Sequence, residues 1–184
     1  MRKYEFTGET QNIECTGKVI TLHRIRAARD FMGVKKEELG GWIETEDNLS
    51  HSENAWVSGD AQVFGNVRVS GDSQVSGNAR VFGDAQVSGN AQVSGNARVY
   101  DIRHVFTAGP IGSRDGFVTF FRDKDCEISV KCGCFSGKLG EFLERVRKTH
   151  GDSKYAHEYI LIAESAKACI DLTAEKPEEE GGSE

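Results

Sequence analysis

Valine recurs at every sixth position through the middle of the chain, eight times from Val57 to Val99. After each of the first seven valines the sequence repeats one unit, Val-x-Gly-(Asn/Asp)-(Ala/Ser/Val)-(Gln/Arg). A fixed six-residue period is typical of a β-solenoid, in which each unit contributes one short strand and one corner. The repeat therefore predicts a coil of parallel strands, and it describes architecture rather than chemistry.

A second period, three times as long, lies inside the first. Phe64, Phe82 and Tyr100 each follow a repeat valine, and each is three repeat units from the next. Three units make one coil of a triangular prism, and side chains alternate along a strand. The valines should therefore point inward, and the three rings should stack on an outer face as an aromatic column. We expect this column to be the subunit interface of a homotrimer; the alternative is that the chain's own terminal segments cover it.

The repeat divides the chain into four parts. The segment before it contains two predicted strands, residues 3–6 and 18–25, around a turn at Thr16 and Gly17, and residues 40–43 form another extended piece. The predicted fold class is mainly β: an N-terminal β cap (residues 1–50), a short triangular β-solenoid with three hexapeptide units, eighteen residues, per coil (51–103), a C-terminal α+β module (104–172) and a disordered acidic tail (173–184). Repeat arrays need capped ends, which gives the flanking segments a structural role.

The α+β module lacks the six-residue repeat, and its sequence predicts strands and helices. Residues 117–121 and 127–135 predict a β-hairpin. Ser136 is a good helix N-cap, and Gly151 is a typical helix end. A second helix is predicted over residues 153–170 from its apolar spacing.

Composition limits the function classes. The net charge of −6 and the pI near 5.5 do not indicate bulk nucleic-acid binding. No apolar stretch is long enough to cross a membrane, and the N-terminus lacks an apolar signal core. We therefore expect a cytoplasmic protein whose five cysteines are reduced.

The array resembles the hexapeptide-repeat (left-handed β-helix) superfamily. The flanking motifs resemble small phage and prophage proteins often labelled transferase or cytoskeletal. They comprise residues 22–25, 39–44 and 48–50 before the repeats, and 112–114, 131–135 and 150–152 after them. The resemblance implies a host-cell cytoplasmic location and interference with a host pathway, for instance by sequestering a nucleotide immune signal. It also makes acyl transfer the alternative function.

The residues argue against catalysis. An acyltransferase needs a general base, typically histidine, and a cofactor groove between chains. His104 is the only histidine beside the coils, and no acid is paired with it. We expect His104 to be structural and the protein to have no catalytic residue and no cofactor. Cys132 and Cys134, with Cys126 nearby, lack a second metal-ligand pair, so we expect apolar packing and no metal site.

A cluster in the α+β module predicts a ligand site. Ser113 and Arg114 lie in a glycine-rich loop, and the expected helix start near Ser136 would offer free N–H groups to an anion. The proposed ligand-binding residues are Ser113, Arg114, Arg122, Lys131, Ser136 and Lys138, which include four cations and no acid. Phosphate is the expected ligand group; the alternative is a turn, a capped helix and solvated charges.

Two classes of function follow. The first is a non-catalytic, oligomeric binding protein that holds a phosphorylated small molecule, such as a nucleotide, or a host protein. The second is an acyltransferase. A protein–protein interaction scaffold is a further alternative to ligand sequestration.

Overall fold

The structure, a computed structural model, describes residues 2–173. Apart from Thr173, the acidic tail predicted for residues 173–184 lies outside the described residues. The described chain runs from a β-hairpin through a β-solenoid to a four-stranded sheet and two helices.

The chain begins with a long antiparallel hairpin. β1 (Tyr4–Cys15) pairs with β2 (Lys18–Ala27) along its length, with an irregularity before Thr10. Thr16 and Gly17 have φ of 52° and 70°, which suits a two-residue hairpin turn. The predicted turn is confirmed. β1 is longer than predicted, because the polar run after Phe6 lacks an alternating apolar pattern and takes its strand conformation from pairing with β2.

The predicted β-solenoid, with three repeat units per coil, is confirmed. Val63, Val81 and Val99 lie opposite one another in one parallel sheet, and Val57, Val75 and Val93 in another. After β3 (Leu39–Ile43), the repeat strands are β4 (Trp56–Val57), β5 (Gln62–Val63), β6 (Arg68–Val69), β7 (Gln74–Val75), β8 (Arg80–Val81), β9 (Gln86–Val87), β10 (Gln92–Val93) and β11 (Arg98–Val99). The three faces carry β3-β5-β8-β11, β4-β7-β10 and β6-β9.

Small apolar side chains fill the solenoid. All eight repeat valines are fully buried, and so are the small residues four positions after them, Ser73 included. The Ser73 hydroxyl donates to the Ser70 carbonyl at 2.7 Å, so this buried polar group is satisfied. The corners need glycine: Gly71 has φ of 72°, and a Cβ there would lie 2.8 Å from the Gly89 nitrogen in the next coil.

The solenoid starts one coil earlier than predicted. Ile43 lies opposite Val63, and Leu49 forms a bridge with Val69, so part of the predicted cap is a first coil. This coil is longer than the later ones, because the segment from Leu49 to Val57 exceeds a standard repeat unit. Isoleucine and leucine also replace valine there. The search for a valine repeat therefore did not predict this coil.

The aromatic column is an intrachain contact. The Phe64 and Phe82 rings stack with centroids 5.0 Å apart, and Tyr100 follows at 5.2 Å. The three residues are 2%, 3% and 9% exposed, and Cys15 and Leu22 of the hairpin belong to the same buried cluster. The expectation that Phe64, Phe82 and Tyr100 form a subunit interface is thereby corrected: the covering apolar residues come from the same chain. The homotrimer itself stays a prediction.

The α+β module is a four-stranded antiparallel sheet with two helices on one face. The predicted hairpin is confirmed, while two outer strands were not predicted. The elements are β12 (Val105–Ile111), β13 (Gly116–Arg122), β14 (Ile128–Cys132), β15 (Phe135–Lys138), α1 (Leu139–His150) and α2 (Lys154–Cys169). Ser136 lies in β15 opposite Lys131, so its predicted role as a helix N-cap is wrong. Gly151 does end α1, and Ser153 caps α2.

The two faces of this sheet have different partners. Val118, Phe120 and Val130 face the helices and share their buried cluster. Phe121, on the opposite face, belongs to the core of the solenoid. Thr119 on that face accepts a hydrogen bond from the Gln92 N–H at 2.9 Å. The module therefore packs across the C-terminal end of the solenoid.

Candidate functional site

The six predicted ligand-binding residues do not assemble into one site. Ser113 and Arg114 are exposed on a 3₁₀ turn that precedes β13. Lys138 belongs to the cluster beyond the other end of β13, a strand of seven residues that spans about 23 Å at 3.3 Å per residue. Glu158 accepts a hydrogen bond from Gly112 N at 2.9 Å, which places a carboxylate at the loop that was expected to bind an anion.

Lys138 is engaged by acids of its own module. Its Nζ lies 2.6 Å from Asp123, 2.7 Å from Glu127 and 3.4 Å from Asp125. Burial would lower the pKa of Lys138, but the bonds to these three carboxylates outweigh it and raise the pKa. The local excess of positive charge inferred from the sequence is therefore absent at this residue.

Arg122 is enclosed between the Tyr100 ring and Cys126. It is 1% exposed, its guanidinium carbon lies 4.8 Å from the Tyr100 ring centroid, and its Nη2 donates to Cys126 Sγ at 3.0 Å. Lys131 and Ser136 lie opposite each other on neighbouring strands. These residues do not converge with Arg114 within the chain, because β13 separates the loop from the Lys138 cluster and Arg122 is enclosed. Phosphate binding by any of them stays a prediction.

His104 has a structural environment. It is fully buried, its Nδ1 accepts from the Tyr100 N–H at 3.2 Å, and its ring packs edge-on against Tyr100 at 4.3 Å. Burial lowers the pKa of His104, and the nearby Arg122 charge adds to the effect. Among residues 2–173, no group of three or more His, Cys, Asp or Glu side chains has an arrangement that could hold a metal ion.

A cleft of about 370 Å³ lies between the last coil and the sheet of the module. Its lining contains no charged side chain, and Phe117 in one wall is 39% exposed. The solenoid wall is formed by Gln86, Ser88, Gly89, Asn90 and Ala91, and the module wall by Val105, Thr107, Gly109 and Phe117.

The solenoid wall of this cleft is an open strand edge. In the preceding coil, the N–H groups of Arg68, Ser70 and Asp72 donate to carbonyls of the last coil at 2.8 to 3.4 Å. The corresponding donors of the last coil are Gln86, Ser88 and Asn90, and no described residue accepts from their N–H groups. We call these three residues the open β9 edge.

Residues that follow the repeat contact the other two edges of the last coil. The Gln92 N–H donates to the Thr119 hydroxyl, and the Tyr100 N–H donates to His104. The Lys124 N–H donates to the Asn96 carbonyl at 3.0 Å. No residue pattern in the sequence marks the open β9 edge. Its repeat unit is the same as the units of the preceding coils, whose N–H groups are paired.

A second groove, of about 460 Å³, lies beside the first coils and differs from the cleft in chemistry. Glu44, Asp47 and Arg68 line it, and Asn48 donates to the Gly65 and Val67 carbonyls at 2.9 and 3.0 Å. The backbone ladder here is continuous, since the Glu44 N–H donates to the Val63 carbonyl. This groove offers charge but no open strand edge.

Comparison with known proteins supports the class of the fold. The family model described as YdcK Beta solenoid repeat matches residues 61–75, 73–89 and 91–105, about a quarter of the chain. No curated protein matches the chain. Together with the stacked coils, the match defines a β-solenoid repeat protein. None of the described helices could span a membrane.

Proposed function

We propose that this protein is a non-catalytic binding protein that recognises an extended segment of a partner protein in the cleft between the last coil and the module. The observation that carries the proposal is the open β9 edge. Gln86, Ser88 and Asn90 present backbone donors to a cleft with a volume of about 370 Å³.

Unpaired strand edges attract other strands, and proteins usually cover them. A partner segment that adds a strand gains main-chain hydrogen bonds for affinity, and pockets for alternate side chains give specificity. Phe117 and Val105 offer apolar contacts on the opposite wall. Because no charged side chain lines the cleft, the segment recognised there is uncharged at its centre.

The interaction-scaffold alternative is thus preferred over sequestration of a phosphorylated ligand. The cleft supplies no cation for phosphate, and the cations predicted for that role are dispersed or engaged. A host protein as the partner agrees with the resemblance to phage proteins. Acyl transfer would need a base that reaches its substrate, and His104 is fully buried.

The test uses a displayed library of neutral dodecapeptides, with affinities of selected peptides measured by calorimetry. Ser88→Pro removes the central N–H of the open edge, and Ser88→Ala is the matched control that keeps it. We expect Ser88→Pro to weaken binding about tenfold or more, as for a lost hydrogen bond plus a misfit ring, and Ser88→Ala to bind like wild type. The backbone amide signals of Gln86, Ser88 and Asn90 should shift on binding.

The proposal is wrong if no neutral peptide binds, or if Ser88→Pro binds as well as Ser88→Ala. Nucleotides binding in place of peptides would restore the phosphorylated ligand as the leading function.

A further inference from the structure

Arg122 is a buried cation outside the ion pairs of the described chain. It is 1% exposed, and none of the ion pairs described within residues 2–173 involves it. Its Nε and Nη1 have no hydrogen-bond acceptor, and Nη2 contacts Cys126 Sγ at 3.0 Å. A guanidinium stays charged at physiological pH, and a buried charge is costly unless it is paired. The Tyr100 ring supplies part of the compensation at 4.8 Å.

Cys126 is held against this cation by the turn between β13 and β14. Its N–H donates to the Asp123 carbonyl at 3.2 Å, and the residue is half-buried. The acids of the same turn, Asp123 and Glu127, are bound by Lys138 at 2.6 and 2.7 Å. Arg122 is therefore the charged group in direct contact with the sulfur.

We propose that Cys126 is an oxidative modification site, in which Arg122 promotes reaction of the thiol with hydroperoxides. The thiolate is the form of cysteine that attacks hydroperoxides, and the Arg122 guanidinium lies against the sulfur at which that reaction takes place. Nη2 of Arg122, 3.0 Å from the sulfur, can also donate to the oxygen that the sulfur acquires. This modification is independent of the proposed peptide-binding cleft.

The step balances with hydrogen peroxide as the oxidant. The Cys126 sulfur attacks one peroxide oxygen, an S–O bond forms and the O–O bond breaks. The sulfur is oxidised to sulfenic acid, and the departing hydroxide takes up the proton lost by the thiol to give water. Thiol plus hydrogen peroxide therefore gives sulfenic acid plus water.

The test follows sulfenic acid formation at each of the five cysteines under limiting hydrogen peroxide, with dimedone trapping and mass spectrometry. Cys134 and Cys169 are exposed and serve as controls within the same chain. We expect Cys126 to react at least tenfold faster than either control. Arg122→Met should slow Cys126 about tenfold or more and leave Cys134 and Cys169 unchanged, while Arg122→Lys should retain part of the rate.

Equal or slower reaction of Cys126 than of Cys134 in wild type would overturn the proposal, and this comparison holds even if Arg122→Met fails to fold. An unchanged Cys126 rate in folded Arg122→Met would also overturn it.

Discussion

The two ends of the solenoid are closed in different ways. At the N-terminal end, β3 joins the stack as a parallel strand, and the Trp42 N–H donates to the Ala61 carbonyl at 2.9 Å. At the C-terminal end, the module lays a sheet across the last coil and contacts it through Thr119, Phe121 and Lys124. A strand that pairs in register provides partners for all the backbone N–H and C=O groups of the edge it joins. A sheet that lies across an end provides partners only for the groups within its reach. That difference leaves the open β9 edge.

The largest effect should come from the column that joins the hairpin to the coils. Phe82 is 3% exposed between Phe64 and Tyr100. Phe82→Ala should lower the free energy of unfolding by about 3–5 kcal/mol, because it leaves a cavity. Chemical denaturation measures this loss, and Ser76→Ala, at a half-buried repeat position outside the column, should change stability by less than about 0.5 kcal/mol.

Light scattering on the same variant separates an intrachain column from an interface. The homotrimer prediction expects three times the chain mass of 20.2 kDa for the wild type. Phe82→Ala should leave the measured mass unchanged. A lower mass with unchanged stability would show that the column holds subunits together.

Alanine substitution of two glycines compares how tightly the backbone is packed in the middle of the stack and at its open end. Gly71 and Gly89 have similar positive φ, 72° and 64°, but a Cβ at Gly71 would meet Gly89 whereas one at Gly89 would meet nothing within 4 Å. Gly71→Ala should cost about 2–5 kcal/mol from left-handed strain plus overpacking, and Gly89→Ala about 1–2 kcal/mol from strain alone. Urea denaturation of both variants is the measurement. Equal losses would mean that the last coil is covered.

The Asp123 side chain holds together the turn between β13 and β14, which meets the last coil at Ala97. It is 4% exposed and accepts from Lys138 at 2.6 Å and from Ser129 at 2.5 Å. Burial would raise the pKa of Asp123, but these bonds and two backbone N–H groups lower it. Asp123→Asn should therefore cost about 1.5–3 kcal/mol at neutral pH, the range for charge-assisted hydrogen bonds.

The pH dependence of that loss has a definite sign. A lowered pKa means that the unfolded chain binds more protons, so the contribution is present above the ordinary value of 3.8 and is lost as pH falls through the lower folded value. Thermal unfolding of wild type and Asp123→Asn should converge in this acid range. Asp125→Asn, which removes only the 3.4 Å contact of an exposed carboxylate with Lys138, is the control and should lose less than about 1 kcal/mol.

Lys3 provides a test of burial at the N-terminal end of the solenoid. It is fully buried and donates to the Ala55 carbonyl at 2.7 Å. Burial and the Arg29 charge lower the pKa of Lys3 to about 8, although the Glu53 charge raises it in part. The unfolded chain then binds more protons between pH 8 and 10.5, so stability should rise with pH in that window.

Lys3→Met should remove this rise, which amounts to about 2 kcal/mol between pH 8 and 9.5 at 1.36 kcal/mol per unit. Guanidinium denaturation at several pH values provides the comparison. Burial also raises the pKa of Tyr4, but that contribution is common to both proteins and cancels in the difference. Parallel stability curves for the two proteins would contradict the prediction.

The smallest effect is expected at Arg114, which is exposed. Arg114→Ala should change the free energy of unfolding by less than about 0.5 kcal/mol. Calorimetric titration of cyclic and linear nucleotides into wild type and this variant tests the phosphorylated-ligand prediction. Tight binding that Arg114→Ala abolishes would reinstate that site.

Local and periodic features could be predicted from the sequence. The valine repeat determines the coil length and the stacking of the aromatic column, because each unit meets the same neighbours one coil away. Three local features depend on a few adjacent residues: the Thr16-Gly17 turn, the Gly151 helix end and the Ser153 cap. The sequence predicted the first two. These features need no knowledge of distant partners.

Contacts between distant segments were decided by the tertiary structure alone. Outward-facing Phe64 and Phe82 fit a partner subunit and the chain's own hairpin equally well, and the folded hairpin supplies Leu22 as the cover. Ser136 has the chemistry of a helix cap, but pairing with Lys131 placed it in a strand.

The candidate site follows the same rule. Arg122 and Lys138 look like free cations in the sequence, because a sequence does not show which acid or ring a charge will meet. The open β9 edge could not be predicted from its residues either, because its repeat unit matches its covered neighbours. Whether a backbone donor is paired depends on where the module docks, and docking arises from apolar contacts spread over distant parts of the chain.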